Sequence, residues 1–312
     1  MKWKRKDLLD LENLTAEEIK HILHTAIPMK EILGRPIKKL PTLRGKSVVL
    51  LFYESSTRTR TSFENAAKIL GADTTNFSVA QSSVNKGESL LDTAKTLQAM
   101  NVDLVIVRHS SSGSAEFLAD ILNAGVINGG DGQHAHPTQA LLDYFTIQDH
   151  LGGFEGKKVV IVGDILHSRV ARSNVVGLKK LGAEVTLVGP PTLLPPEMKY
   201  LGVKISHHLD QELPGADAVM ALRLQLERQQ SGLFPSIREY SKLYGLNKER
   251  IKLTGKDTIV MHPGPMNRGV EIASDLADSV QSVIEEQVTN GVAVRMALIY
   301  LLIGGGTVNV VD

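Results

Sequence analysis

Phe52-Tyr53-Glu54-Ser55-Ser56-Thr57-Arg58-Thr59-Arg60-Thr61 joins two patterns of different period. Upstream, Val48-Val49-Leu50-Leu51-Phe52 is an unbroken apolar run and reads as a buried strand. Downstream, Phe63, Ala66, Ala67 and Leu70 fall on one helical face, and Gly71 stops it. The junction therefore predicts strand, turn and helix, the unit of an α/β fold. It also packs hydroxyls and two arginines around an open helix N-terminus. Free backbone N–H groups, the positive end of the helix dipole and guanidinium forks all favour a bound anion there. The turn has no glycine and no Gly-Lys-Ser/Thr, so it is not a nucleotide P-loop. It suits a small phosphate compound better than ATP. The plainer alternative is that Ser55 to Thr57 only cap the helix and the arginines form a solvated face. Against it, two arginines in a first turn oppose the dipole unless an anion compensates.

The same alternation continues outward. Leu14-Thr15-Ala16-Glu17-Glu18-Ile19 reads as a helix start, with Thr15 as N-cap and Glu18 three residues on. Strands are expected at Asp73–Ser78, Val102–Val107 and Gly125–Asn128, and helices at Ser89–Met100 and Glu116–Asn123. Asp131 to Pro137 breaks the pattern, and a long helix, Thr138 to His150, follows. A second alternation begins with strand Lys158–Val162, helix Arg169–Leu181 and strand Glu184–Val188. Val203–Ser206, Ala218–Leu222 and Thr258–Met261 are further strands, and Val280–Ile303 holds one or two terminal helices. The expectation is an α/β chain of two doubly wound parallel-sheet domains with their junction along the long helix. Val160-Ile161-Val162-Gly163-Asp164 resembles the opening of a dinucleotide unit. Ile165 to Arg169 lack the glycines that let a backbone approach a pyrophosphate.

Bulk properties exclude more than they specify. A length of 312 residues fits about two domains on a prior of ~150 each. A net charge of +1 gives no reason to expect nucleic acid or an anionic membrane as partner, so any anion preference must be local. The chain has no cysteine, which excludes disulfides, thiol nucleophiles and cysteine-rich zinc sites; this is neutral about compartment but fits a reducing, cytoplasmic setting. The basic start, Met1 to Lys6, is followed by Asp7, Asp10 and Glu12 rather than a signal-type apolar core. No run is long enough to span a bilayer.

In parallel α/β domains, function collects at the carboxyl ends of strands. That rule selects Ser56, Thr57, Arg58 and Thr59, then Arg108, then His136 with Gln139, from the first half. From the second half it selects Arg169, Arg223 with Gln225, and His262-Pro263-Gly264-Pro265. Together they would line an interdomain cleft rich in cations, suited to substrates carrying several negative charges. No ligand spacing suggests a metal, and no cofactor is expected. Taken singly, each has a bland reading. Arg108 could be a surface cation, His136 a turn histidine and Lys86 a loop lysine, and Gln225 to Gln230 could be a solvated face.

Taken together, the motifs resemble the aspartate/ornithine carbamoyltransferases. Phe52-x-Glu54-x-Ser56-Thr57-Arg58-Thr59 matches that family's carbamoyl-phosphate signature, and His136-Pro137-Thr138-Gln139 its second fingerprint. The likeness runs from the N-terminal helix to Ile303. It implies a carbamoyl-phosphate domain over 1–137, completed by a C-terminal helix about 284–303. An acceptor domain over 138–283 and a tail over 304–312 follow from it. By this resemblance Ser56, Thr57, Arg58, Thr59 and Arg108 would hold phosphate. Thr59, Arg108 and His136 would meet the carbonyl oxygen, and Gln139 with the backbone at Pro263, Gly264 and Pro265 the carbamoyl amine. Arg169, Arg223 and Gln225 would grip the acceptor, with Ser82 and Lys86 lent by an adjacent subunit of a homotrimer. Lys86, the absent cysteine and His262-Pro263-Gly264-Pro265 favour aspartate over ornithine as acceptor, and hence a step of pyrimidine synthesis. Many members carry leucine where this chain has Gly264, which implies altered loop rigidity. Relatives assemble with regulatory chains or dihydroorotase, and the sequence shows no surface for either. Transfer to ornithine or acetylated ornithine, a non-catalytic scaffold, and a nicotinamide-dependent dehydrogenase are the competing readings.

Overall fold

The structure is a computed structural model that describes residues 2–78, 88–225 and 234–304. Ser82, Lys86, Arg228 and the tail from 305 onward lie outside the described residues. In chain order the elements are α1 (Ala16–Leu33), β1 (Ser47–Phe52), α2 (Thr57–Ile69), β2 (Asp73–Ser78), α3 (Leu90–Ala99), β3 (Leu104–His109), α4 (Ser114–Ile121) and β4 (Gly125–Asp131). There follow α5 (Pro137–Leu151), β5 (Lys158–Val162), α6 (Arg169–Lys180), β6 (Glu184–Val188), a 3-10 turn (Pro196–Leu201), β7 (Lys204–Ser206), α7 (Leu209–Glu212) and β8 (Ala218–Ala221). Last come α8 (Ile237–Tyr244), α9 (Lys248–Ile251), β9 (Ile259–Met261), α10 (Ser274–Ala277) and α11 (Ile284–Ile303). The chain divides into two compact units, Met1–Leu141 with Thr289–Asp312, and Leu142–Val288. The divisions fall inside α5 and α11.

The first unit holds a four-stranded sheet in the order β2-β1-β3-β4, all parallel. Val49, Leu51, Val105 and Val107 pack with Ala94 and Leu97 of α3 and Ala115 and Leu118 of α4. Val48, Leu50, Leu104 and Ile106, on the opposite face, are just as buried. A sheet covered on both faces explains why its strands read as continuous apolar runs rather than as alternation. Thr15 caps α1 as expected: its hydroxyl accepts from Glu18 N–H at 3.1 Å, and Glu18 Oε2 accepts from Thr15 N–H at 2.8 Å. Ser89 and Asp92 repeat that device on α3.

The second unit holds a five-stranded parallel sheet in the order β7-β6-β5-β8-β9. Val160, Val162, Val219 and Val260 pack with Leu209, Tyr240, Tyr244, Ile251 and Leu276 on one face. On α5, Tyr144 donates to Ser173 O at 2.7 Å, which fixes that helix against α6. Among the described residues, no helix is long and apolar enough to cross a membrane.

Some boundaries differ from the sequence reading. β4 runs on through Gly129, Gly130 and Asp131 rather than ending at Asn128, with a register shift against Val107 and His109. Glycine carries no strand signal of its own, so the extension was invisible. The terminal pattern is one helix starting only at Ile284. The helices α7 to α10 were not anticipated: α7, α9 and α10 have four residues each, barely one turn, while α8 carries an i, i+4 pair, Tyr240 and Tyr244, that the sequence reading passed over.

Candidate active site

Each sheet is built outward from a middle strand in both directions, and the reversal opens a crevice at the strands' carboxyl ends. In the first unit the reversal lies between β1 and β3, in the second between β5 and β8. Ser56 to Thr59 follow β1 and Arg108 ends β3, while Arg169 and Arg223 come after β5 and β8; His136 and Gln139 follow the edge strand β4, and Gly264 the edge strand β9.

After β1, Ser56 is the N-cap of α2, yet its hydroxyl makes no capping hydrogen bond. The first turn of α2 contains no acid. Thr57 and Arg58 are exposed, while Thr59 is buried. The helix thus presents its dipole, orphan N–H groups and an arginine with none of the usual compensation. Arg108 lies directly across from Phe52 in the β1–β3 ladder, and Tyr53 N–H donates to its carbonyl at 2.8 Å. Its Nη1 donates to Gly129 O at 3.1 Å and approaches His136 Nε2 at 3.4 Å. Its Nε lies 3.2 Å from Glu54 Oε2. A guanidinium has no acceptor, so the contact with His136 uses the imidazole lone pair at Nε2. His136 and Gln139 are both buried at the start of α5, and Gln139 N–H donates to His136 O at 3.1 Å.

The loop before His136 is held from inside. Asp131 is 1% exposed and accepts from Gly113 N–H at 2.7 Å, Asn128 Nδ2 at 2.8 Å and Ala135 N–H at 3.1 Å. It also meets His134 Nδ1 at 3.0 Å. Gly132 turns the chain at φ +46°, where an added β-carbon would lie 2.7 Å from Ser112 N. Next to Arg108, burial pushes the His109 imidazole below its ordinary value, which favours the uncharged ring, and Nδ1 accepts from Ser111 N–H at 2.9 Å.

In the second unit, β5 leads into a buried turn. Asp164 accepts from His167 N–H at 3.2 Å and meets His167 Nδ1 at 2.9 Å. Ser168 then caps α6 by accepting from Ala171 N–H at 3.1 Å. Arg169 is the first residue of α6 and is 5% exposed. Half-buried Arg223 follows β8, and Gln225 Nε2 donates to His167 O at 3.1 Å, which ties the β8 loop to the turn carrying Arg169. After β9, Gly264 N–H donates to His262 Nδ1 at 2.8 Å, and Gly264 sits at φ +65° before an exposed Pro265.

The structure thus brings Arg108, His136 and Gln139 together in one unit, and joins the Arg169 turn to Gln225 in the other. What sequence reasoning passed over is the set of acids behind the cations: Glu54, Asp131, Asp164 and Glu271. Glu54 stands inside the first motif and Asp131 heads the loop of the second, so both had a signal in position, though none in pattern. Among the described residues, no group of three or more His, Asp or Glu side chains could hold a metal ion.

Residues 6–149 match the family described as aspartate/ornithine carbamoyltransferase, carbamoyl-P binding domain, and residues 155–302 its Asp/Orn binding domain. Over 312 residues the chain is 72% identical to the aspartate carbamoyltransferase catalytic subunit of Desulfitobacterium hafniense, covering 100% of each. It is similar to the crystal structure of Trypanosoma cruzi aspartate transcarbamoylase in complex with carbamoyl phosphate. There the TM-score is 0.86 at 30% identity, covering 96% of this chain and 97% of that one. Against the ornithine carbamoyltransferase of Pyrococcus furiosus the TM-score is 0.85 at 32% identity, covering 98% and 99%.

Proposed function

The chain belongs to the aspartate/ornithine carbamoyltransferases, and on that premise we propose that it carbamoylates aspartate. It transfers the carbamoyl group of carbamoyl phosphate to the α-amine of L-aspartate, releasing N-carbamoyl-L-aspartate and phosphate. In the cell this is an early step toward pyrimidines, carried out in the cytoplasm. The observation that carries the reading is the uncapped, acid-free N-terminus of α2 next to the Arg108–His136 contact. The high identity to a catalytic subunit of that name supports the choice of acceptor. The likeness to an ornithine enzyme, at a TM-score of 0.85 against 0.86, means that backbone fold does not choose the acceptor. Side-chain charge does: Arg169, Arg223 and Lys86 favour a dicarboxylate over a cationic amino acid.

In this reading Ser56, Thr57, Arg58 and Thr59 hold the phosphate, with Arg108. Gln139 and the backbone at Pro263, Gly264 and Pro265 hold the carbamoyl amine. Arg169 takes the α-carboxylate of aspartate, and Arg223 with Gln225 the side-chain carboxylate. The amine attacks the carbamoyl carbon, a C–N bond forms and charge moves onto the carbonyl oxygen. Thr59, Arg108 and His136 meet that charge as an oxyanion hole. Collapse breaks the C–O bond to phosphate, and a phosphate oxygen takes the proton the amine loses. Fixing two anions beside one another supplies much of the remaining rate through proximity. Ser82 and Lys86 act across the interface of a homotrimer.

The test is a transfer assay with purified protein, carbamoyl phosphate, and aspartate or ornithine. Carbamoyl-aspartate with aspartate alone is expected. Product with ornithine would overturn the acceptor assignment, and no product from folded protein with either would overturn catalysis.

A further inference from the structure

Behind the Pro263–Pro265 loop lies a buried histidine–carboxylate pair that the chemistry above does not use. The side chains of His262 and Glu271 are 0% and 2% exposed. Both ring nitrogens of His262 are engaged. Nδ1 accepts from Gly264 N–H at 2.8 Å, so the ring proton belongs on Nε2, which points at Glu271 Oε1 at 3.2 Å. The same Oε1 accepts from the N–H of Asn267. Asn267 Nδ2 in turn donates to the carbonyl of Leu224 at 3.3 Å, between Arg223 and Gln225. The main chain of His262 is pinned separately, its N–H donating to Gln287 Oε1 at 2.9 Å.

We infer that the His262–Glu271 pair is a positioning element that sets two loops at once: Pro263–Pro265, and Arg223–Gln225. The inference rests on the proposed reaction, because it is that reading which gives the two loops their work. The path from Gly264 N–H to Leu224 O runs through named polar contacts, buried at His262–Glu271 and part-buried at its two ends. Glu271 Oε2 is buried with no hydrogen-bond partner among the described residues, a costly arrangement that an apolar side chain would avoid. What the carboxylate supplies is one oxygen that accepts from two donors on different segments, and so fixes the distance between the loops.

The test uses four variants of the full chain, with KM measured separately for each substrate and kcat on a titrated active-site concentration. Glu271→Ala releases Asn267 and is expected to raise KM for aspartate about 10- to 100-fold, the scale of a 1 Å misplacement. Glu271→Gln keeps Oε1 as acceptor and should restore most of that affinity. His262→Asn keeps an acceptor near Gly264 N–H and should spare KM for carbamoyl phosphate. His262→Gln, which reaches toward Glu271 but loses that acceptor, should raise it. A merely structural role would lower the fraction of active protein and leave both KM values unmoved, and that result overturns the inference. If Glu271→Ala fails to fold, the His262 pair still decides it: equal effects of Asn and Gln on carbamoyl phosphate would sink it. Independently of activity, nitrogen NMR of His262 should show a neutral ring protonated at Nε2. A proton on Nδ1 overturns the inference even in an active enzyme. An inactive wild type with Nε2 protonated would instead count against the proposed reaction alone.

Discussion

His136 is the side chain on which the proposed chemistry is most exposed to test. It is buried, it meets Arg108, and as an oxyanion donor it has a defined worth. His136→Ala should lower kcat about 10²–10³-fold and leave the shape of the pH–rate profile intact. Loss of the pH dependence with the rate spared would make it a base and void its role here. Gly264 offers a second test. At φ +65° it occupies the left-handed region, where a β-carbon costs roughly 1–2 kcal/mol. Gly264→Ala should therefore lower stability by about 1 kcal/mol in urea unfolding and raise KM for carbamoyl phosphate. Arg108, at the end of β3, and His136 and Arg169, beyond the turns that follow β4 and β5, were candidates in the sequence because the fold rule places function after strands. Their holders were not. Asp131 grips the N–H of Gly113, eighteen positions away, and no local pattern announces such a contact.

Among the helices, α1 and α2 begin with the same kind of residue and use it differently. The Thr15 hydroxyl accepts a cap hydrogen bond, whereas that of Ser56 makes none. Thr15→Ala should cost about 1 kcal/mol of stability, the usual worth of a cap. Ser56→Ala should cost a few tenths at most, yet weaken phosphate binding, as calorimetry with inorganic phosphate would show. Equal stability losses would mean Ser56 is a cap after all. The Glu18 end of the α1 box also carries a pH signature. Its hydrogen bond to Arg5, against the opposing effect of burial, holds the carboxyl below its ordinary range. A depressed carboxylate stabilises the fold above its unfolded pKa, so this contribution fades as pH falls through the lower folded value. Thermal midpoints of wild type and Glu18→Gln should converge in that acidic window and separate above it. Elements that bury both faces, or a full helical stripe, could be read in advance. α9 could not, since the cap Asn247 precedes a segment of four residues, too short to show a period.

For the molecule as a whole, the proposed homotrimer with shared sites makes a prediction that no single chain can satisfy. An inactive Lys86→Ala chain mixed with an inactive Arg58→Ala chain should regain activity, because some sites then draw both intact residues from different subunits. Verified mixed trimers without activity would remove the shared site. What the sequence determined by itself is the fold class, the family and a set of candidate cationic residues, since apolar period and motif spacing are local properties of the chain. Only the tertiary structure decided which groups hold those residues in place. The Glu54–Arg108 ion pair, the Gln225–His167 tie and the His262–Glu271–Asn267–Leu224 relay each depend on a hydrogen-bonding or ion-pair distance between segments that are apart in sequence. Such distances are set by how strands register and loops fold back, and a linear pattern does not encode them.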